Sequence, residues 1–217
     1  MNFNIPLHYL LSSVSILVPF IIGARKFHYL NTDQIIFWIY ICIGVVTEVL
    51  NFYFAYNAIN NLWYLNYFFG IEFGFLMVIF VRWENGVSRQ ILIYLTLVGF
   101  LVFGTTQIFL SNNHSYNMVG KYIENFIVLI AAIHILYSLI VRTELNLSKN
   151  YKFWISLGIF IYFGGTSFIF VMGPIIFSRG LPGAWQIHSL FNISSNILCG
   201  IGLFWARPNT YSVGTSY

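Results

Sequence analysis

Residues 63–80 read WYLNYFFGIEFGFLMVIF, an apolar run of aromatic and aliphatic side chains with one acid, Glu72, in its middle. A helix that crosses a bilayer needs roughly 20 mostly apolar residues, so the run predicts a transmembrane helix over about 62–81. A carboxyl group inside a membrane is costly and usually faces the interior of a helix bundle. The same stretch therefore predicts a membrane fold and marks a candidate functional residue.

The composition extends this prediction to the whole chain. Of its 217 residues, 59% are hydrophobic and 7% are charged, whereas a typical soluble domain carries about 25% charged residues. We expect a single domain over 1–217 whose main partner is the lipid bilayer. The net charge of +4 is spread over short loops without a basic cluster, so no nucleic-acid partner is expected.

The predicted fold is an all-α integral membrane bundle of seven transmembrane helices, because apolar runs alternate with short polar breaks. The predicted spans are about 5–23, 34–55, 62–81, 90–110, 119–141, 153–177 and 185–205.

The basic residues predict the orientation of the bundle. With the amino terminus outside and the carboxyl terminus cytoplasmic, only Lys121 and Arg179 lie at outer span ends. Lys and Arg concentrate on the cytoplasmic side of membrane proteins. The residues predicted on that side are Arg25, Lys26, Arg82, Arg89, Arg142, Lys149, Lys152 and Arg207.

Three acids within the spans differ in their predicted surroundings. Glu124 follows Lys121 by three residues, which favours an ion pair near the outer interface. Glu48 and Glu72 have no such partner in their own spans. We expect each of them to be neutral or to meet a cation, which could be a proton, a sodium ion, a divalent metal or a ligand amine.

The last predicted span carries a polar stripe. His188, Asn192, Ser195, Asn196 and Cys199 follow helical spacing and lie on one face. The stripe has two interpretations. It lines a ligand pocket, or its Asn and Ser side chains hydrogen bond to neighbouring helices, as polar residues commonly do in membrane bundles.

These patterns predict a polar pocket in the outer half of the bundle. The residues expected to bind its ligand are Glu48, Asn51, Glu72, Tyr162, His188, Asn192 and Asn196. In the sequence GIEFG, Gly70 and Gly74 lie on the helix face opposite Glu72, so a helix contact at the glycines would turn Glu72 towards another interface or a central cavity. No HExxH motif or histidine pair specifies a metal, and the metal, cofactor and catalytic residues stay unassigned.

Two further stretches bear on the family. A retinal cofactor is not expected, because residues 185–205 contain no lysine for a Schiff base. The stretches FWISLGIFIYFGGTSFIF (153–170) and WQIHSLFNISSNILCGIGLFW (185–205), with IEF at 71–73, resemble uncharacterised small bacterial seven-helix membrane proteins, some of them sensor-like. This resemblance implies a multi-pass protein of the bacterial cytoplasmic (inner) membrane.

The leading functional prediction is a sensor for a small molecule or ion that signals through a cytoplasmic or membrane protein partner. Buried acids without fixed partners also suit a cation-coupled secondary transporter. An intramembrane enzyme is the third alternative. It comes last because one His and scattered acids form no recognised nucleophile arrangement.

Overall fold

Helices dominate the described part of the chain. The computed structural model describes residues 6–109, 117–141, 146–178 and 183–205. Its α-helices are α1 (Leu7–Ser15), α2 (Leu17–Arg25), α3 (Thr32–Tyr56), α4 (Leu62–Trp83), α5 (Gly86–Phe109), α6 (Met118–Val141), α7 (Tyr151–Ser178) and α8 (Gly183–Phe204). Two short 3₁₀ turns, Phe27–Tyr29 and Leu147–Lys149, complete the regular structure of these ranges.

These helices form seven segments that are long and apolar enough to cross a membrane, with α1 and α2 together making the first. The outer faces of the helices are covered by exposed apolar side chains, such as Leu101 at 68% and Phe126 at 64% exposure. Such a surface suits lipid and not water. Within the described ranges, the prediction of an all-α fold with seven candidate spans is confirmed, and the orientation of the termini stays a prediction.

The first predicted span, over 5–23, corresponds to one membrane-length segment, Leu7–Arg25, which contains a turn at Ile16. The helix is interrupted at Ile16, where α1 ends and α2 begins. Pro19 explains the break, because it has no N–H to donate to the carbonyl of Ser15 and its ring collides with that carbonyl in a regular helix. The first span therefore consists of two nine-residue helices.

Contacts between helix ends define two ends of the bundle, which we name after the turns that they contain. At the 57–61 end, the rings of Tyr9 and Phe52 lie 6.2 Å apart in edge geometry. At the 26–31 end, Arg82 forms an ion pair with Asp33 and Lys26 donates to the carbonyl of Phe204. The first three spans thus run in alternating directions, and the last span ends at the 26–31 end.

The start of α3 is set by a local sequence signal. Asn31 Oδ1 accepts from the Gln34 backbone N–H at 3.0 Å, and Gln34 Oε1 accepts from the Asn31 N–H at 2.9 Å. This reciprocal capping box satisfies two backbone donors that a helix start leaves free. It fixes where the helix that carries Glu48 and Asn51 begins.

Helices α7 and α8 approach closely at Gly158. A Cβ atom at this position would lie 3.0 Å from the Ser195 carbonyl oxygen and 2.8 Å from Cys199 Sγ. The absence of a side chain at residue 158 therefore lets the two backbones meet. This contact fixes the rotation of α8 and with it the direction of the polar stripe.

Candidate functional site

All seven residues predicted to bind a ligand lie around one cavity of about 180 Å³. The polar lining residues are Tyr40, Thr47, Glu48, Asn51, Glu72, Tyr162, His188, Asn192, Ser195 and Asn196. The rest of the lining is mainly aromatic and aliphatic, with Phe68, Phe69 and Phe163 among it. The structure thus brings the predicted residues together, and their role in binding stays a prediction.

The cavity extends further along the bundle than the predicted outer half. Its α3 lining runs from Asn51, near the 57–61 end, to Phe37, beyond the middle of the helix. At 1.5 Å per residue this separation along α3 is about 21 Å. On α8 the lining runs from His188 to Cys199. The cavity is therefore an elongated space between α3, α4, α7 and α8.

Glu72 lies in the wall of this cavity and is 2% exposed. The hydroxyl of Tyr40 donates to Glu72 Oε1 at 2.8 Å. The ammonium group of Lys121 donates to Glu72 Oε2 at 2.9 Å. The carboxyl group therefore contacts both α3 and α6, and the cation that it meets belongs to the protein itself.

Lys121, predicted at an outer span end, points into the protein and is only 2% exposed, while its depth in the membrane stays a prediction. The cause is the buried start of α6. Asn117 donates its backbone N–H to Asn66 Oδ1 at 3.0 Å, and its own Oδ1 accepts from the Gly120 N–H at 2.9 Å. Since the first turn of α6 is capped inside the bundle, Lys121 points into the protein.

Lys121 connects two carboxyl groups. Its Nζ atom lies 3.2 Å from Glu124 Oε2, which confirms the predicted ion pair and shows that the protein buries it. The ammonium group also lies over the Phe69 ring, 4.1 Å from the centroid, a favourable cation–π position. We refer to Glu72, Lys121 and Glu124 as the buried triad.

The glycines of α4 lie where the sequence places them. A Cβ atom at Gly70 would be 3.3 Å from the ring of Phe103, and one at Gly74 would be 3.2 Å from the ring of Phe100. Both rings belong to α5, so this face of α4 packs against α5. Glu72 faces the other way, towards α3 and α6.

The polar stripe of α8 combines both of its interpretations. Asn192 Nδ2 donates to Ser12 Oγ at 2.9 Å, and Asn196 Nδ2 donates to Ser15 Oγ at 2.8 Å. These hydrogen bonds tie α8 to α1. Because both asparagines also line the cavity, the same side chains hold the helices together and form part of its wall.

The remaining predicted residues occupy the part of the cavity nearer the 57–61 end. Asn51 Oδ1 accepts from Asn61 Nδ2 at 3.0 Å. Glu48 is half-buried, and its carboxyl group interacts with Ser13. The rings of His188 and Tyr162 lie 6.1 Å apart. This part of the site joins α1, α3, α7 and α8.

The sequence interpretation did not include Tyr40 and Lys121 among the site residues. Tyr40 had a usable signal, because it precedes Gly44, Glu48 and Asn51 by 4, 8 and 11 residues and so extends their helical face. Lys121 had no such signal. Its burial depends on the interior cap of α6, which involves contacts between residues distant in sequence.

The described residues contain no group of three or more His, Cys, Asp or Glu side chains arranged to hold a metal ion. Cys42 is half-buried, Cys199 is buried, and both are free thiols. Neither the spacing of these residues nor their placement identifies a metal.

Comparison of the chain with family models, with curated proteins and with solved structures finds no significant match. The resemblance to small bacterial seven-helix membrane proteins therefore stays a prediction, as does the bacterial inner membrane as its location.

Proposed function

We propose that this protein is a membrane sensor that binds a small monovalent organic cation in the cavity between α3, α4, α7 and α8. The observation that carries the proposal is Glu72, which lies in the cavity wall while it is hydrogen bonded to Tyr40 and Lys121 of two other helices. A ligand that contacts this carboxyl group would act on three helices at once. The signal would pass to a separate protein partner.

The chemistry of the cavity suits a cation. Its described lining contains the carboxyl groups of Glu48 and Glu72 and contains no Lys or Arg. Aromatic rings, including that of Phe68, supply faces that attract organic ammonium groups. Asparagine side chains and tyrosine hydroxyls add acceptors for N–H groups.

The size of the cavity restricts the ligand. Its volume of about 180 Å³ suits a small amine. Apolar walls with a few placed polar groups are typical of small-molecule sites. A primary or quaternary amine with few carbon atoms meets both conditions.

The response follows from competition for Glu72. Because Tyr40 and Lys121 already donate to this carboxyl group, a ligand ammonium group would weaken at least one of these contacts. A ligand changes a conformational equilibrium only when it binds one state more tightly than the other. The state in which α3 or α6 is released from Glu72 would bind the ligand more tightly than the state in which both helices hold this carboxyl group.

Thermal stabilisation in detergent tests the proposal with ethylammonium and tetramethylammonium as probes. A ligand that binds only the folded protein raises its free energy of unfolding. This increase grows with the logarithm of the ratio of ligand concentration to dissociation constant. We expect at least one probe to raise the unfolding midpoint of the wild type and to have little effect on Glu72→Gln. The exposed Arg89→Gln variant serves as the control and should respond like the wild type. Equal responses of the wild type and Glu72→Gln would contradict the proposal.

A cation-coupled secondary transporter is the second candidate, and the buried triad favours it. Carboxyl groups inside membrane proteins often form part of proton or ion pathways. Uptake of radiolabelled ethylammonium into proteoliposomes separates the two functions. Uptake driven by a proton or sodium gradient would favour transport, whereas specific binding without flux would favour sensing.

A further inference from the structure

The buried triad contains more acid than base. Lys121 supplies one positive charge to Glu72 and Glu124, and the side chains of all three residues are 2–3% exposed. The carboxyl groups of Glu72 and Glu124 lie against the same ammonium group, at 2.9 and 3.2 Å from Lys121 Nζ. Two ionised carboxyl groups beside one ammonium group would leave one negative charge in excess.

The excess negative charge is least well compensated at Glu124. Its Oε2 atom lies 3.2 Å from Lys121 Nζ, but neither of its two buried oxygens accepts a hydrogen bond from any described residue. Glu72 differs, because Tyr40 and Lys121 donate to its two oxygens. An uncompensated charge in a protein interior costs several kcal/mol, and a carboxyl group avoids this cost by keeping its proton.

We propose that the triad of Glu72, Lys121 and Glu124 is a binding site for one exchangeable proton, which leaves when a cation binds in the cavity. The second part rests on the proposed function. In the empty protein, one proton shared by Glu72 and Glu124 makes the triad neutral. A ligand cation at Glu72 supplies the same positive charge, so the proton passes to water and both carboxyl groups become ionised.

The surroundings of the triad hold few other groups that could take this proton. Tyr40 of α3 donates to Glu72, while Tyr162 of α7 and His188 of α8 interact electrostatically with Lys121. The ionisable residues of α5 are Arg89 and Tyr94, and both are exposed. Glu48 of α3 and His188 of α8 line the same cavity and are the alternative acceptors, so Glu48→Gln and His188→Gln variants separate them from the triad.

Infrared spectroscopy tests the proton site without any ligand, because a protonated carboxyl group has a carbonyl stretch that an ionised one lacks. We expect the wild type at neutral pH to show such a band. Glu124→Gln and Glu72→Gln should each lose it, because Lys121 then neutralises the charge of the one remaining carboxylate. Lys121→Gln should strengthen the band, because both acids then need a proton. Asp33→Asn is the control and should retain the wild-type band, and Glu48→Gln and His188→Gln should retain the part of the band that depends on Glu72 and Glu124. Absence of a band that depends on Glu72 and Glu124 would overturn the proposal.

Calorimetric titration with tetramethylammonium in two buffers of different ionisation enthalpy tests the exchange. We expect release of about one proton per bound cation from the wild type and almost none from Glu124→Gln. Binding to the wild type without proton release would overturn the exchange and leave the proposed function intact. If neither tetramethylammonium nor ethylammonium binds while the infrared band depends on the triad, the proposed ligand is wrong and the proton site stands.

Discussion

Lys121 Nζ lies 2.9 Å from Glu72 Oε2, although the two residues are 49 positions apart in the chain. This contact joins the first turn of α6 to the middle of α4 inside the bundle. Because both side chains are only 3% exposed, water screens the pair little. The contact therefore has energetic consequences for the fold as well as for the cavity.

Replacement of Lys121 by Met should destabilise the protein strongly. The variant leaves Glu72 and Glu124 without a cation, so each acid must stay ionised without a partner or take a proton, and removal of one partner from a buried pair costs up to about 3–5 kcal/mol. The triple variant Lys121→Met, Glu72→Gln, Glu124→Gln should recover most of this loss. Thermal unfolding in detergent measures both effects through the reaction of buried Cys199 with a maleimide, in a Cys42→Ala background. The exposed Arg89→Met is the control, and an equal loss in that variant would contradict the role of the pair.

Replacement of Tyr40 by Phe should weaken the hold of α3 on Glu72. The variant removes the hydroxyl that donates to Glu72 Oε1 at 2.8 Å, and a hydrogen bond to a charged group contributes about 1.5–3 kcal/mol. Tyr94→Phe is the matched control, because Tyr94 is 68% exposed. Unfolding midpoints should fall for Tyr40→Phe and stay unchanged for Tyr94→Phe. Equal midpoints of Tyr40→Phe and the wild type would mean that the hydroxyl contributes nothing to the fold.

Replacement of Gly158 by Ala should separate α7 from α8. The new Cβ atom would lie 3.0 Å from the Ser195 carbonyl oxygen, a backbone atom that cannot move away freely. Overpacking of this kind costs about 1–3 kcal/mol. Gly104→Ala is the control, because a Cβ atom there meets nothing within 4 Å and alanine favours helix more than glycine does. Unfolding followed by tryptophan fluorescence should show a lower unfolding midpoint for Gly158→Ala. Gly104→Ala should show no decrease.

Single-cysteine labelling should reveal the orientation in the membrane. In a background without Cys42 and Cys199, Ile59→Cys should react with an impermeant maleimide from outside intact cells. Ile59 is 47% exposed and lies in the turn at the 57–61 end. Arg89→Cys, near the opposite end, should react only after the cells are opened. The reverse pattern would overturn the predicted orientation.

Sequence periodicity and hydropathy were sufficient to predict the spans, because the length of a bilayer-crossing helix is fixed by bilayer thickness. They also placed Glu48, Asn51 and the α8 stripe on shared faces, since helical spacing is a local property. Pro19 is a local cause of the break at Ile16, but the hydrophobic run of the first span continues across this break. Apolar patterning alone did not reveal this break.

The partner of Glu72 could not be predicted from such local signals. The helix that carries it is apolar on nearly every face, so its sequence does not specify which neighbour each side chain meets. The Lys121–Glu72 contact depends on how α6 starts, and that start depends on the hydrogen bond between Asn117 and Asn66. Contacts between distant parts of the chain decided this part of the site.

The interruption at Ile16 has a consequence for local opening. Because α1 is separate from α2, its nine residues do not share a continuous ladder of backbone hydrogen bonds with the rest of the first span. The side-chain hydrogen bonds of Ser12 and Ser15 to α8 hold it in place, and short elements with few such anchors open more readily than the global fold. The amide hydrogens of α1 should therefore exchange with deuterium sooner than those of α2. Since Ile16 lines the cavity beside these serines, each such opening would expose the cavity wall from the side of the bundle.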